Sequence, residues 1–178
     1  MTIPNDIVKR VEDKILDTLL LLQKRYPNAN LEIPKWQWTK MGRTAGRAHY
    51  GLGLVELNPD FITNHLEELI NQTLPHEIAH LASFKIYGIL GKGHGRFWKS
   101  VMYALAPLGV QVKRCHDYSL DGVTTRVRPR PYEYVCGCKD KTIKVTSNIH
   151  NKIQRGQKRF CIRCKVTIKL KSLVQQAA

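Results

Sequence analysis

The stretch "LPHEIAHL", residues 74–81, sets His76, Glu77 and His80 in the order His-Glu-x-x-His. On a helix, residues four apart are separated by about 40° around the axis, so the two imidazoles face one way and can share a metal ion. Glu77 stands beside them, where a carboxylate can hold a water against that ion. The arrangement suits a metal-dependent hydrolase: water is acidified towards neutrality, and Glu77 takes its proton and later hands it to a leaving amine. With 7 His and 7 Glu among 178 residues, chance alone would produce the pattern in roughly 1 of 100 such chains. Context therefore has to decide between a site and a coincidence.

Three features of the context favour a site. The flanking Ile78, Ala79, Leu81 and Ala82 are apolar, as a buried helix requires. The motif falls within a segment that reads as helical. A catalytic zinc commonly takes three protein ligands, and His94 in "GKGHGRFW" offers the third. Gly91, Gly93 and Gly95 around it free the backbone to turn the imidazole back onto the preceding helix. The interval from His80 is too long for the short-loop protease pattern, so this ligand comes from the start of the next helix. The competing reading is a capping histidine in a glycine loop. Among the other histidines, His65 falls on the polar side of its helix and reads as exposed, and His49 on a strand reads as packed. His116 in "RCHDY" and Tyr118 are candidates to orient a ligand or to stabilise a tetrahedral oxyanion.

A second group lies near the C-terminus. "YVCGC" and "FCIRC" supply Cys136, Cys138, Cys161 and Cys164, two close pairs flanking a basic stretch, which read as a structural zinc ribbon. The first pair has a one-residue gap where two is usual, which leaves Cys138 open to replacement by His150 in "NIHNK". Cys115 has no partner in sequence and reads as a small apolar packing residue.

The elements that must carry these groups follow from periodicity. Pro4-Asn5-Asp6 starts a helix over residues 5–26, with Ile7, Val8, Val11, Ile15, Leu19 and Leu22 along one stripe. Residues 31–58 hold β-prone runs broken by glycine, which predict two or three antiparallel strands. Asn58-Pro59-Asp60 opens a helix through "FITNHLEELINQ", and a site helix runs from about Leu74 to Gly88. "RFWKSVMYA" makes another, stopped near Pro107. "VRPRPYEY" reads as an extended connector. The predicted organisation is α+β: residues 1–125 as helices packed on a small antiparallel sheet, 126–134 as a connector, and 135–178 as a basic zinc ribbon.

Charge separates the two parts. The chain carries a formal +15 with pI near 9.8. Residues 126–178 hold 14 Lys+Arg against 2 Asp+Glu, a net +12, which leaves only +3 for the first 125 residues. Such a tail points to an anionic partner, and Lys144, Lys152, Arg155, Lys158 and Arg159 are the candidate phosphate contacts. Nothing marks base-specific readout. The longest apolar run, Leu19–Leu22, is far too short to span a bilayer, and "MTIPNDIVKR" has no basic-then-apolar leader. The expectation is a cytoplasmic, DNA-associated protein with reduced thiols and no membrane partner.

Taken in order, "GRTAGRAH…VELNP", "LPHEIAHL", "GKGHGRFWKSVM", "RCHDYSL" and "YVCGC…NIHNKIQRGQKRFCIRC" resemble the SprT-like family of zinc metalloproteases across nearly the whole chain. The resemblance implies a zincin-like protease domain. It also implies a catalytic zinc on His76, His80 and His94, with Glu77 as general acid/base. The best-studied members of that family cleave proteins covalently trapped on DNA, with activity switched on by DNA. The expected cofactors are thus one catalytic and one structural Zn2+, and the expected partners are DNA, single-stranded included, and protein substrates. An edge strand beside the zinc cleft is expected to dock substrate in extended form. Two rivals remain at this level: a DNA-binding zinc adaptor without proteolysis, and a processing protease for one specific partner.

Overall fold

A computed structural model describes residues 3–115, 118–123, 129–138 and 142–171. The chain divides into two compact units, Met1–Thr125 and Arg126–Ala178. No helix among the described residues is long and apolar enough to cross a membrane.

In the first unit, α1 (Asn5–Arg25) buries Ile7, Val11, Ile15, Leu19 and Leu22 along one stripe and packs on the site helix. Three short strands follow: β1 (Lys35–Trp38), β2 (Gly46–His49) and β3 (Leu54–Leu57). Their order is β1-β3-β2. The β2/β3 hairpin is antiparallel, but β1 runs parallel to β3. The expected all-antiparallel sheet is therefore a mixed one. The cause lies in residues 39–45, which carry the chain across to the far side of β3 instead of turning it straight back. Buried Asn58 holds that crossover: its side-chain amide donates to the carbonyls of Gly42 and Thr44, and its backbone N–H to Ala45. The same side chain caps the next turn by accepting from the Asp60 N–H.

Val55 and Leu57 point from the sheet into the helices, while Glu56 between them faces the other way and is tied to its neighbours. It accepts from His49 Nε2 at 2.7 Å, Gln37 Nε2 at 2.9 Å and Thr39 Oγ1 at 2.9 Å. His49 is thus half of a polar cross-strand pair rather than a packed residue.

Helix α2 (Ile62–Glu68) runs through a π turn, Leu69–Thr73, into α3 (Leu74–Tyr87). The widened turn immediately precedes Pro75, which has no N–H for the carbonyl four residues back and whose ring would crowd it. Gly88, at φ +58, ends α3, and α4 (Arg96–Ala104) follows after a short loop. Trp98, Val101 and Met102 of α4 and Leu74, Ile78, Ala79 and Ala82 of α3 complete one core with α1 and the sheet.

The second unit is a three-stranded antiparallel sheet in the order β5-β4-β6, from β4 (Tyr132–Val135), β5 (Thr142–Val145) and β6 (Lys169–Leu170). One helix, α5 (Ser147–Gln154), lies between β5 and the second cysteine pair. Its small core is Tyr134, Val145, Cys161 and Ile168. β4 begins at Tyr132, so the sheet reaches into residues that read as connector in the sequence.

Candidate active site and metal centres

His76, Glu77 and His80 all lie in the buried first half of α3, and His94 reaches them from the loop that leads into α4. The three imidazoles meet through the same atom. Nε2 of His94 lies 3.1 Å from Nε2 of His76 and 3.2 Å from Nε2 of His80. Nitrogens bound at about 2.0–2.1 Å around a tetrahedral ion sit roughly 3.3 Å apart, so the group fits one small cation. Without a shared cation three converging ring nitrogens would have to apportion protons among themselves. Burial, helped by His94, pushes His80 down to about 4, and burial with the Arg114 charge lowers His94. Both rings are therefore neutral near pH 7, with lone pairs available. These three residues can hold a metal ion.

The loop is held to the helix by a close approach. A Cβ on Gly91 would lie 2.1 Å from the Ser83 carbonyl oxygen, so only glycine lets the loop press onto the backbone of α3. Gly93, at φ +72, then turns the chain so that His94 points inward.

Glu77 is 9% exposed and faces β2. Burial pushes its carboxyl up to about 7, against the opposing pull of the Ala48 N–H that it accepts from and of the Arg47 charge. β2 comes this near because it has glycine at 46: a Cβ there would meet Thr73 Cγ2 at 2.5 Å and Glu77 Cγ at 2.9 Å. The resulting cleft, about 370 Å³, is bordered by Gly46, Arg47 and Ala48 on one side and by Gly93, His94 and Arg114 on another.

Several residues that complete the site are absent from the sequence reading. Trp98, 1% exposed, underlies all three imidazoles, with ring centroids 4.8 Å from His76, 5.3 Å from His80 and 4.6 Å from His94. It lies four residues beyond His94, and that helical interval is the one local hint of its position. The Tyr50 hydroxyl stands 3.3 Å from His80 Nδ1 and accepts from the Gly93 N–H, so it orients the His80 ring and anchors the loop that carries His94. Arg47 and Arg114 bring positive charge to the rim.

Other candidates are placed differently. The Tyr118 hydroxyl donates to the Glu68 carbonyl and bonds Thr73 Oγ1, one turn before Glu77, rather than lining the cleft; burial raises it to about 12. His116 lies outside the described residues. His65 is not simply exposed: its Nε2 lies 3.1 Å from the Ser119 carbonyl and its ring packs on Tyr118. Cys115 is exposed, not packed, because its loop runs along the surface.

In the second unit Cys136, Cys138, Cys161 and Cys164 bring their sulfurs within 4.8 Å of one another and can hold a second metal ion. Backbone N–H groups of Cys164 and Arg163 bring the Cys161 thiol down to about 6, and that of Val166 lowers Cys164. These amides favour thiolates. Hydrogen bonding with Cys164 pushes Cys138 up to about 12 while no cation is shared. His150, the alternative ligand, is engaged elsewhere. Its ring lies flat on Tyr132 at 3.7 Å, and its Nδ1 is 3.0 Å from the Tyr134 hydroxyl. Lys152, Arg155, Lys158 and Arg159 are exposed on α5 and the stretch after it; Lys144 on β5 sits 3.7 Å from Glu133.

The family model described as SprT-like family matches residues 14–116, which include all three histidines and Glu77. Protein SprT of Escherichia coli O157:H7 is 30% identical over 165 residues, covering 92% of this chain and 92% of that protein. Protein SprT of Escherichia coli O1:K1 / APEC shows the same identity and coverage. No solved structure matches the chain. With a family model that spans more than half of its length and relatives aligned almost end to end, the chain belongs to the SprT-like family.

Proposed function

We propose that this protein is a zinc-dependent, zincin-like endopeptidase that acts in the cytoplasm on proteins bound or crosslinked to DNA. The observation that carries the reading is the meeting of three Nε2 atoms beside a buried, water-accessible carboxylate, Glu77. A purely structural metal site has no use for that carboxylate, which argues against the adaptor reading. Zinc, when bound by His76, His80 and His94, supplies Lewis acidity towards a carbonyl oxygen and a water molecule.

The remaining work belongs to the chain. Glu77 takes the proton of the attacking water and returns it to the amine nitrogen as the C–N bond breaks; a carboxyl with its pKa near 7 suits both transfers. The Ala48 N–H keeps the carboxylate in place between them. Trp98 closes the floor against bulk water. β2 is the outer strand beside the cleft, so a polypeptide can pair with it through main-chain hydrogen bonds and present its scissile bond with little demand on sequence. Tolerance of that kind calls for a restraint, and the net +12 of the second unit supplies one by tethering activity to DNA, single strands included.

The test is a polypeptide crosslinked to DNA, incubated with wild type or Glu77→Gln, with and without added single-stranded DNA. Cleavage by wild type alone, stimulated by DNA, is expected. Equal cleavage by Glu77→Gln would remove the assigned mechanism. Cleavage of a single partner among unrelated DNA-bound proteins would favour a processing enzyme.

A further inference from the structure

A further cavity of the first unit lies beside the histidine cleft. It encloses about 560 Å³ between the second half of α3, the β2/β3 hairpin and the segment before β1. Its floor is apolar, made by Leu19, Leu31, Ile78, Leu81 and Ala82. Lys85 Nζ bonds Glu32 Oε1 at 3.2 Å on its rim, so these opposite charges are satisfied by each other. At the mouth, Ile33 and Leu52 are 67% and 66% exposed, an unusual outlay of large apolar surface for a short loop and a hairpin tip.

Tyr50 is the wall common to this cavity and the histidine cleft. Its ring packs on Phe84 with centroids 5.1 Å apart, and Lys92 Nζ covers both rings at 5.6 and 5.1 Å. The β2/β3 hairpin borders both spaces, its strand at the cleft and its turn at the cavity. Ala48, whose N–H meets Glu77, is followed within three residues by Gly51 on the cavity wall. A chain laid along β2 that continues past Tyr50 passes the mouth of this cavity.

We propose that this cavity seats an apolar side chain of the bound polypeptide, at one position to the side of the scissile bond, and so gives the protease a preference there. The inference rests on the proteolytic reading for its ligand class. Its basis is the continuity of the two spaces through Tyr50 and the apolar floor. A Lys or Arg side chain would face Lys35 and Lys92 there, whereas Leu, Ile, Met or Phe would cover the floor.

The experiment is a peptide-library digest that compares wild type with the double variant Ile33→Asp/Leu52→Asp. Both side chains are exposed, so the fold tolerates the change, and unfolding midpoints verify it. Wild type is expected to favour Leu over Ser at one fixed position by about tenfold in kcat/KM, as partial burial of one aliphatic side chain implies. The double variant should flatten that preference to below twofold or turn it towards Lys and Arg. A flat wild-type profile, or an apolar preference that survives both aspartates, overturns the proposal. A parallel arm measures binding of fluorescein-labelled peptides, with Leu or Ser in a Gly/Ser frame, to Glu77→Gln. If no peptide is cut, the proteolytic reading fails, and this arm decides alone. Tighter binding of the Leu peptide, lost in the double variant, upholds the cavity as a side-chain site, and equal binding overturns it. A wild-type dimer in sedimentation that the aspartates dissolve would show a second copy as the occupant, and also overturns it.

Discussion

Glu77 illustrates how chemistry and stability pull against each other at a single residue. Its folded pKa of about 7 lies above the ordinary carboxylate value of 4.5, so the native state favours the protonated form. At low pH both folded and unfolded chains are protonated and nothing is lost; as pH rises from about 4.5 to 7 the unfolded chain ionises while the fold keeps its proton, and stability falls. Glu77→Gln should therefore make the metal-free protein more stable at pH 8, by about 1–3 kcal/mol, with little change at pH 4. Chemical denaturation at the two pH values measures this. The same variant should retain its metal and lose at least about 100-fold in peptide cleavage. Trp98 gives the opposite pattern. Trp98→Ala empties the floor beneath three ligands and should cost about 3–5 kcal/mol, with weaker metal binding in a competitive chelator titration. The histidine pair is legible in sequence because helical spacing carries it. Tyr50 is not, because thirty residues separate it from His80 and no local pattern links them.

At the scale of elements, the site depends on two close backbone approaches. Gly91→Ala would drive a Cβ against the Ser83 carbonyl, and neither backbone can yield. The expected result is a loss of about 1–3 kcal/mol together with weaker metal affinity, because the loop lifts His94 away. Gly46→Ala would push β2 off Thr73 and Glu77; activity should fall further than the unfolding midpoint, since the Ala48 N–H leaves the carboxylate. The sheet itself should be sensitive to acid. Hydrogen bonds from His49, Gln37 and Thr39 hold Glu56 down to about 2, so its contribution is complete above pH 4.5 and drains away as pH falls towards 2. Glu56→Gln should flatten that part of an acid-unfolding curve followed by circular dichroism. The helices and the existence of three strands are legible from periodicity and glycine breaks. The parallel pairing of β1 is not, because it depends on the route of residues 39–45, which the buried Asn58 amide holds from a distance. The same limit applies to His65, whose bond to Ser119 spans 54 positions.

At the scale of the whole molecule, the two units differ in charge, +3 against +12, and the proposed tether lies in the second. Neutralising Lys152, Arg155, Lys158 and Arg159 should weaken single-stranded DNA binding and reduce the slope of log affinity against log salt by roughly 3 units. DNA-stimulated cleavage should fall in parallel. Lys144, already beside Glu133, should matter less. In the proposed function His76, His80 and His94 form the catalytic metal centre, distinct from the four-cysteine group of the second unit. This assignment is tested most directly by metal analysis of purified wild type and His94→Ala, each also assayed for cleavage. Two zinc ions per chain are expected in wild type, one in the variant, and no cleavage by the variant. Two zinc ions retained by His94→Ala, or full cleavage with one, would contradict it.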